Sequence, residues 1–460
     1  MTRDERNTHN IQLVKRVMPE LLTKGTWRDF TDLTTQDTIV IYANARQMLE
    51  KKIYEADAEK QGKLEAAVVN LYRVILEKLL NAEKLYLVID RTTRMPYIDD
   101  NDNCYIFSEQ EFATEALDYF AQEMRSWEME PVEKKDIPEV LGQTFYEGGV
   151  RYALVDNGQT FIRIPAEDLV KPEGHDDLPD EERPIVNPDY LRALAKLVQE
   201  TGWLKEYEGK QRNINRYEAD VIRTFCRARF LLPGQEEEDG KIRVPSLQNE
   251  NGEMTVPVFT DYRNLRKVIR DEEILAYIWT PKNLLELSGE HFVINAGTIN
   301  FLMEKDTIRK MIELYEYEIE PADAVAELLA GRPYYTPFLF EGEEGLHERD
   351  DTIYYTAETV KYAKEPQENA PSRERGKMHF RKVKDEKSGK EYLALFSDIE
   401  TLRKAYPAAD RICLVDKTMV QSLVWETEGV AFDIQMAVGK DFLIRHGFPK
   451  PEEKEQESPL

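Results

Sequence analysis

The sequence predicts an α+β fold: three related small domains of mainly antiparallel sheet with packed helices, preceded by an N-terminal helical segment. Three observations predict it. Apolar residues at helical spacing alternate along the chain with short runs that are apolar at every second place, such as TVPVF and HFVIN. One order of signals recurs three times, which marks an internal repeat. A length of 460 residues leaves room for several domains at roughly 100–200 residues each.

Residues 1–65 read as the helical segment. Leu64, Val68, Leu71, Val74, Ile75 and Leu79 recur at spacings of three and four, one face of a helix. Each repeat then opens with a helix and a strand: ILEKLLNAEKLYLVI, ADVIRTFCRARFLLP and ADAVAELLAGRPYYTPFLF. Hairpin-like strand pairs follow, ending in Phe107-Ser108, Phe259-Thr260 and Phe396-Ser397. Polar turn formers precede the second strand of each pair, at Asp99–Asn103, Gln248–Gly252 and Asp385–Gly389. The Ser or Thr is placed to cap the next helix. Ser108 with Glu111 and Ser397 with Glu400 fit a capping box, whereas Thr260 is followed by Arg263. Gly149, Gly289 and Gly429 each open an alternating strand, and Phe161-Ile162, Phe301-Leu302 and Phe442-Leu443 return at similar intervals after them.

On this reading the repeats span 66–170, 214–316 and 320–448. Residues 171–213 form an acidic linker and helix, 341–376 an insertion in the third repeat, and 449–460 a disordered tail. Stretches such as KPEGHDDLPDEERP and KEPQENAPSRERG have too little apolar content to fold alone. Unequal spacing of the Phe anchors predicts separate domains joined by linkers, not a solenoid. The alternation predicts sheets with one face in water.

The formal charge is −26, from 62 basic and 88 acidic residues interleaved without a basic patch. Such a field repels phosphate and anionic lipid, so neither nucleic acid nor membrane is an expected partner. The start, MTRDERNTHN, lacks the apolar stretch of a signal peptide, and no apolar run reaches the roughly 18 residues of a membrane span. Three widely separated cysteines, Cys104, Cys226 and Cys413, make no disulfide framework. A cytoplasmic location is expected.

The middle repeat resembles the SseB family, named for enhanced serine sensitivity, best in residues 225–316. RFLLP, the hairpin into Pro257-Val258-Phe259-Thr260, the helix after it, and the later strand with Asn295-Ala296-Gly297 carry the resemblance. Ala296 stands where the family pattern has Pro. The first and third repeats look like diverged copies; the third lacks the Pro before Phe396 and the Asn-Gly turn. The resemblance implies a bacterial cytoplasmic protein with a non-catalytic role.

No constellation of residues carries a reaction. Asp99, Asp100 and Asp102 suggest a calcium loop, but Cys104 takes the place of its Gly and Gln110 that of its Glu, so a hairpin turn is expected. The six histidines include no pair at metal-binding spacing. Cys226, between Arg223 and Arg227, shares the apolar side of its helix with Ile222 and reads as a core thiol. Trp127 and Trp279 fall at the same interval after their Phe anchors and read as core residues of equivalent elements.

The function expected is therefore a non-enzymatic protein-interaction or adaptor role with no cofactor and no metal, its partner proteins and oligomeric state unknown. Repeated domains gain from multivalent binding, and the charge of −26 favours a basic partner surface. Tyr334, Tyr335, Phe338 and Phe340, in PYYTPFLF, are the candidate interaction residues if that strand is an exposed edge. The alternative is a small-molecule sensor or an unrecognised enzyme with a site between domains, for which His291, Asn295 and Thr298 are the candidate pocket. A purely structural oligomer is a third option.

Overall fold

The computed structural model describes residues 3–24, 32–91, 93–171, 183–236, 242–248, 252–271, 274–340, 378–385, 388–407 and 412–449. The insertion 341–376, His175, His347 and all but the first residue of the tail 449–460 lie outside them. The chain divides into two compact units, Met1–Glu313 and Leu314–Leu460. No helix among the described residues is long and apolar enough to cross a membrane.

The first unit starts with α1 (Arg3–Lys24), α2 (Thr35–Glu50) and α3 (Ala58–Leu80). Thr34 and Asp57 open the second and third of these by accepting hydrogen bonds from the N–H groups of Asp37 and Lys60. Val17, Leu21, Ile41, Leu64 and Leu71 close a helical core. Ile75 and Leu79, farther along α3, enter the core of the first sheet instead. One helix therefore serves both cores, and the expected boundary at residue 65 falls inside it.

The first repeat continues with β1 (Lys84–Asp90), β2 (Asn103–Phe107), α4 (Gln110–Gln122), β3 (Trp127–Glu133), α5 (Ile137–Gly142), β4 (Tyr152–Val155), β5 (Ile162–Pro165) and α6 (Ala166–Leu169). Next come α7 (Pro188–Thr201) and α8 (Lys210–Arg227). The middle repeat adds β6 (Phe230–Glu236), β7 (Ile242–Arg243), β8 (Leu247–Gln248), β9 (Met254–Val258), α9 (Tyr262–Val268), β10 (Leu275–Trp279), α10 (Pro281–Leu284), β11 (His291–Ile294), β12 (Phe301–Glu304) and α11 (Lys305–Leu314). The second unit holds α12 (Glu320–Leu329), β13 (Tyr334–Phe340), β14 (Met378–Phe380), β15 (Lys382–Lys384), β16 (Glu391–Leu395), α13 (Ile399–Ala405), β17 (Ile412–Val415), α14 (Lys417–Leu423), β18 (Gly429–Phe432), β19 (Met436–Gly439) and α15 (Lys440–Arg445).

One strand order appears three times. The first sheet runs β3-β1-β2-β4-β5, with β2 and β4 parallel and every other pair antiparallel. The order β10-β6-β9-β11-β12 repeats it, with Leu231 bridged to Phe259 and β9 parallel to β11. The order β17-β13-β16-β18-β19 repeats it again, with Tyr335 bridged to Phe396 and β16 parallel to β18. Phe107, Phe259 and Phe396 are fully buried at the same position, each paired with its central strand. Full burial of a side chain that size contributes roughly 1.5–3 kcal/mol.

The residue after each Phe is held by a second recurring device. Asp156, Asn295 and Asp433 follow the strand parallel to the Phe strand, at φ of 58, 51 and 48°. Asn and Asp enter this left-handed region more readily than other side chains. The backbone N–H of each donates to Ile106, Val258 or Leu395 (2.9, 2.8 and 2.8 Å). Their Oδ1 atoms accept from the N–H of Ser108, Thr260 and Ser397 (2.7, 2.9 and 2.8 Å). Capping falls one residue later than the sequence reading placed it. Asp261 and Asp398 are the N-caps, accepting from Asn264 and Thr401, and Glu109 holds that place without a side-chain bond. The Ser108 hydroxyl is turned instead toward Asp156, to which it donates at 2.7 Å, and the cap position falls on Glu109.

The structure departs from the sequence reading at two further points. Both faces of each sheet carry buried side chains. Leu85, Leu87 and Ile89 pack with α3 and α7 residues in one core, while Val88, Phe107 and Phe112 form another under α4. The middle and third repeats divide in the same way, with Leu265 and Leu402 covering the second faces. In the third repeat, Phe432 pairs directly with Met436 across a turn shortened to Asp433–Gln435. Phe442 and Leu443 therefore lie in α15, not on the return strand that Ile162 and Phe301 begin.

Segment 171–213 contributes to the core. Tyr190, Leu191 and Leu194 of α7 lie in a hydrophobic cluster shared with Leu87 of β1 and with Phe225, Phe230 and Phe292. Asn187, just before α7, donates to the carbonyls of Arg229 and Thr260 (2.8 and 2.7 Å). Gly149 has φ of 70°, and a Cβ there would fall 2.1 Å from the Pro188 carbonyl oxygen, so only glycine lets α7 seat against the first sheet.

Burial pushes the Asp156 carboxyl up from 3.8 to about 6 despite its two bonds from Ser108. The folded state therefore holds this proton more tightly than the unfolded chain. The stabilisation is present below pH 4 and lost as pH rises through 6, about 3 kcal/mol in all. Asp156→Asn, which installs the middle repeat's residue, is expected to raise the unfolding midpoint of the first unit at pH 7. The gain should shrink toward zero by pH 4, read by thermal unfolding across that range.

Candidate binding groove

An aromatic groove lies on the second face of the first sheet. Its wall is α4, which has 13 residues where α9 and α13, the helices in the same place of the other repeats, have 7. The longer helix presents Phe112, Ala116, Tyr119 and Phe120 along one side of a cavity of ≈ 570 Å³. Tyr105 and Trp127 rise from the sheet on the other side, joined by Tyr97 from the loop between β1 and β2. Tyr97 lies 3.7 Å from Trp127 between ring centroids, and Phe120 meets Trp127 edge-on at 4.4 Å. Tyr119 is 59% exposed at the rim.

Past α4 the chain reverses at Met124 (φ 57°), and the Arg125 N–H donates to the Phe120 carbonyl at 2.9 Å. This reversal delivers the Arg125 guanidinium between two indoles. Its carbon lies 3.3 Å from the Trp203 ring centroid and 5.0 Å from that of Trp127, within cation–π range. Its one hydrogen bond among the described residues is to the Gln199 carbonyl at 3.2 Å, and it forms no ion pair among them. Burial lowers the Arg125 pKa from its ordinary value.

The chain past α7 closes the end of the groove. The Trp203 indole N–H donates to the Glu123 carbonyl at 2.6 Å. Gln199, 4% exposed, receives the Ile98 N–H at 3.2 Å and donates to the Pro96 carbonyl at 3.0 Å, stapling α7 to the loop that bears Tyr97. A smaller cavity of ≈ 400 Å³ on the far side of Arg125 is lined by Asp99, Lys196, Tyr207 and Asn213. Asp99 itself accepts from the N–H groups of Asn101 and Asn103 (2.9 and 3.0 Å), the expected polar turn.

The residues singled out in the sequence lie elsewhere. Asn295 is fully buried; its amide exchanges hydrogen bonds with Thr260. The Thr298 hydroxyl bonds to Asn264 and the Asn295 carbonyl (3.2 and 3.0 Å). His291 begins the strand that Asn295 follows, about 13 Å away at strand rise, so the three do not converge. Its Nδ1 is buried without a partner among the described residues. Tyr334, Tyr335 and Phe338 lie on β13, whose first half (Tyr334–Pro337) pairs with β17 and bridges Phe396 on the other side, and whose second half (Phe338–Phe340) pairs with β14. Tyr334 is 3% exposed. Tyr335 packs against a core cluster, and Phe338 faces Phe380. The Phe340 side chain lies outside the described residues, although its backbone pairs with Met378.

Trp127 and Trp279 are not equivalent. Trp127 opens its strand opposite Asp90 at the end of β1, whereas Trp279 closes its strand opposite Phe230 at the start of β6. A signal for the groove was present in the aromatic run from Tyr97 to Trp127 together with the added length after Ser108. Trp203 carried no such signal, because only folding brings it to α4.

Residues 207–310, essentially α8 through the middle repeat, match the family model described as SseB protein N-terminal domain. No curated protein matches the chain. Among solved structures, Anabaena Tic22 (protein transport) is similar over 46% of this chain and 83% of that one, at 11% identity and a TM-score of 0.11. A likeness at that level bears on neither fold nor role.

Gln199→Ala should cost about 1–3 kcal/mol by stranding the Ile98 N–H and the Pro96 carbonyl. Denaturant unfolding measures the loss, and faster hydrogen exchange at the Ile98 amide locates it.

Proposed function

We propose that the chain is a non-catalytic protein-interaction module of the cytoplasm, and that a partner docks in the aromatic groove of the first repeat. The SseB N-terminal-domain match at residues 207–310 is the premise, and it lies in the middle repeat. The groove belongs to the first repeat, where the same strand order carries a longer covering helix. The observation that carries the reading is the Arg125 guanidinium held between Trp203 and Trp127 beside an exposed Tyr119. Arginine and aromatic side chains dominate the energetic centres of protein interfaces. Rigid rings lose little conformational entropy on binding, which favours them as docking surfaces.

A second reading, small-molecule sensing, draws support from the polar cavity of ≈ 400 Å³, within the size range of ligand pockets. The two readings separate on Tyr119, which lines the larger groove and not the smaller cavity.

Tyr119→Ala is expected to weaken binding of a stoichiometric partner by roughly 30-fold, the loss of one interface hot spot. Its unfolding midpoint should stay close to that of the parent, because the ring is exposed. Equal partner affinity in parent and variant would sink the docking assignment. Loss of a metabolite-induced thermal shift on Asn213→Ala but not on Tyr119→Ala would favour the sensor.

A further inference from the structure

Charge decides which partner chemistry suits the groove. Of the ionic groups lining it, Glu115 is held by Arg6 at 2.7 Å and by Gln159 at 2.8 Å. Glu123 pairs with Lys205. Across Arg125, Glu200 accepts the Tyr207 hydroxyl and acts on the guanidinium only beyond ion-pair distance. Arg125 is thus the one charge lining this groove that lacks an ion-pair partner among the described residues. It bears five N–H donors in a planar fork, and one hydrogen bond is drawn from them. The fork matches a carboxylate, which can accept two parallel hydrogen bonds.

The rest of the surroundings limits the anion. The protein carries −26 overall, so a polyanion such as a nucleic acid meets repulsion that a single carboxylate largely escapes. The half-buried rings of Tyr97 and Tyr105 and the exposed ring of Tyr119 offer apolar platforms beside the guanidinium, backed by the buried Phe120 and Trp127. Extended segments with proline or other apolar side chains dock on such aromatic grooves.

We infer that the groove selects an extended apolar peptide segment of a partner protein carrying one carboxylate, which Arg125 receives while neighbouring apolar side chains pack on Tyr97, Tyr105 and Tyr119. The inference rests on the docking reading above and adds the chemical identity of the docked segment. Arg125 sets specificity in it, and the aromatic wall supplies contact area.

The test is calorimetric titration of the full chain with three capped pentapeptides: acetyl-Pro-Leu-Glu-Leu-Pro-amide and its versions with Gln or Lys in place of Glu. The Glu peptide is expected to bind roughly tenfold or more tighter than the Gln peptide, as a charge-assisted hydrogen bond requires. The Lys peptide should bind weakest. Arg125→Met keeps the apolar stem and is expected to bring the Glu and Gln peptides level. Tyr119→Ala should weaken both alike and leave their ratio intact. Equal binding of the Glu and Gln peptides to the parent protein would overturn the carboxylate assignment, whether or not Arg125→Met folds; if Tyr119→Ala still weakened both, the docking site would stand. A Glu preference that persists in Arg125→Met would overturn the role given to that residue. Binding of none of the three peptides would overturn the inference and the docking site together.

Discussion

The hydrogen bond from the residue after each Phe anchor to Asp156, Asn295 or Asp433 is the constraint on which the architecture turns. It joins the end of one strand to the start of the helix that follows its parallel neighbour. The bond adds to a parallel pairing whose slanted hydrogen bonds are slightly less stable per residue than antiparallel ones. The device has a geometric requirement: a left-handed residue with a short side-chain acceptor. Asp and Asn satisfy it three times. Ile434, next to Asp433 at φ of 64°, shows how far the short third-repeat turn bends to keep it.

The same frame explains why one repeat has a groove. All three sheets bury their second face under the helix that follows the anchor. In the middle and third repeats a helix of 7 residues covers the cores around Leu265 and Leu402. In the first, 13 residues of α4 extend the wall, and Trp203 bonds to the carbonyl of Glu123 at its far end. The first repeat differs from the other two by the length of this one element, while the strand order is the same. The groove and the core of this sheet face therefore share residues, Phe112, Phe120 and Trp127 among them.

The repeat itself was legible because strand period and anchor residues recur in the chain. Phe107, Phe259 and Phe396 are buried where the repeated signals put them. The cap assignment at Ser108 and Ser397 missed because a hydroxyl has two acceptable partners, the next helix or a strand distant in sequence. Here the distant strand holds the neighbouring N–H, and for Ser108 the hydroxyl as well. The match of Phe442 to Phe161 missed because a shorter turn shifts the register, and spacing alone cannot separate a late strand from an early helix. Asn295 and Thr298 bond within a turn, and polar side chains that close a turn have the same residue types as those that bind a ligand.

By itself the sequence determined the α+β class, the N-terminal helices and the recurring strand–anchor–helix order, since these depend on local periodicity and on residues close together in the chain. Only the tertiary structure decided that both sheet faces are covered, that α7 shares a core with its neighbours, and that Arg125 sits between Trp127 and Trp203. The physical reason is that those features are contacts between segments far apart in sequence. A guanidinium is stacked or solvated according to what the fold brings over it, and no local pattern encodes the second indole.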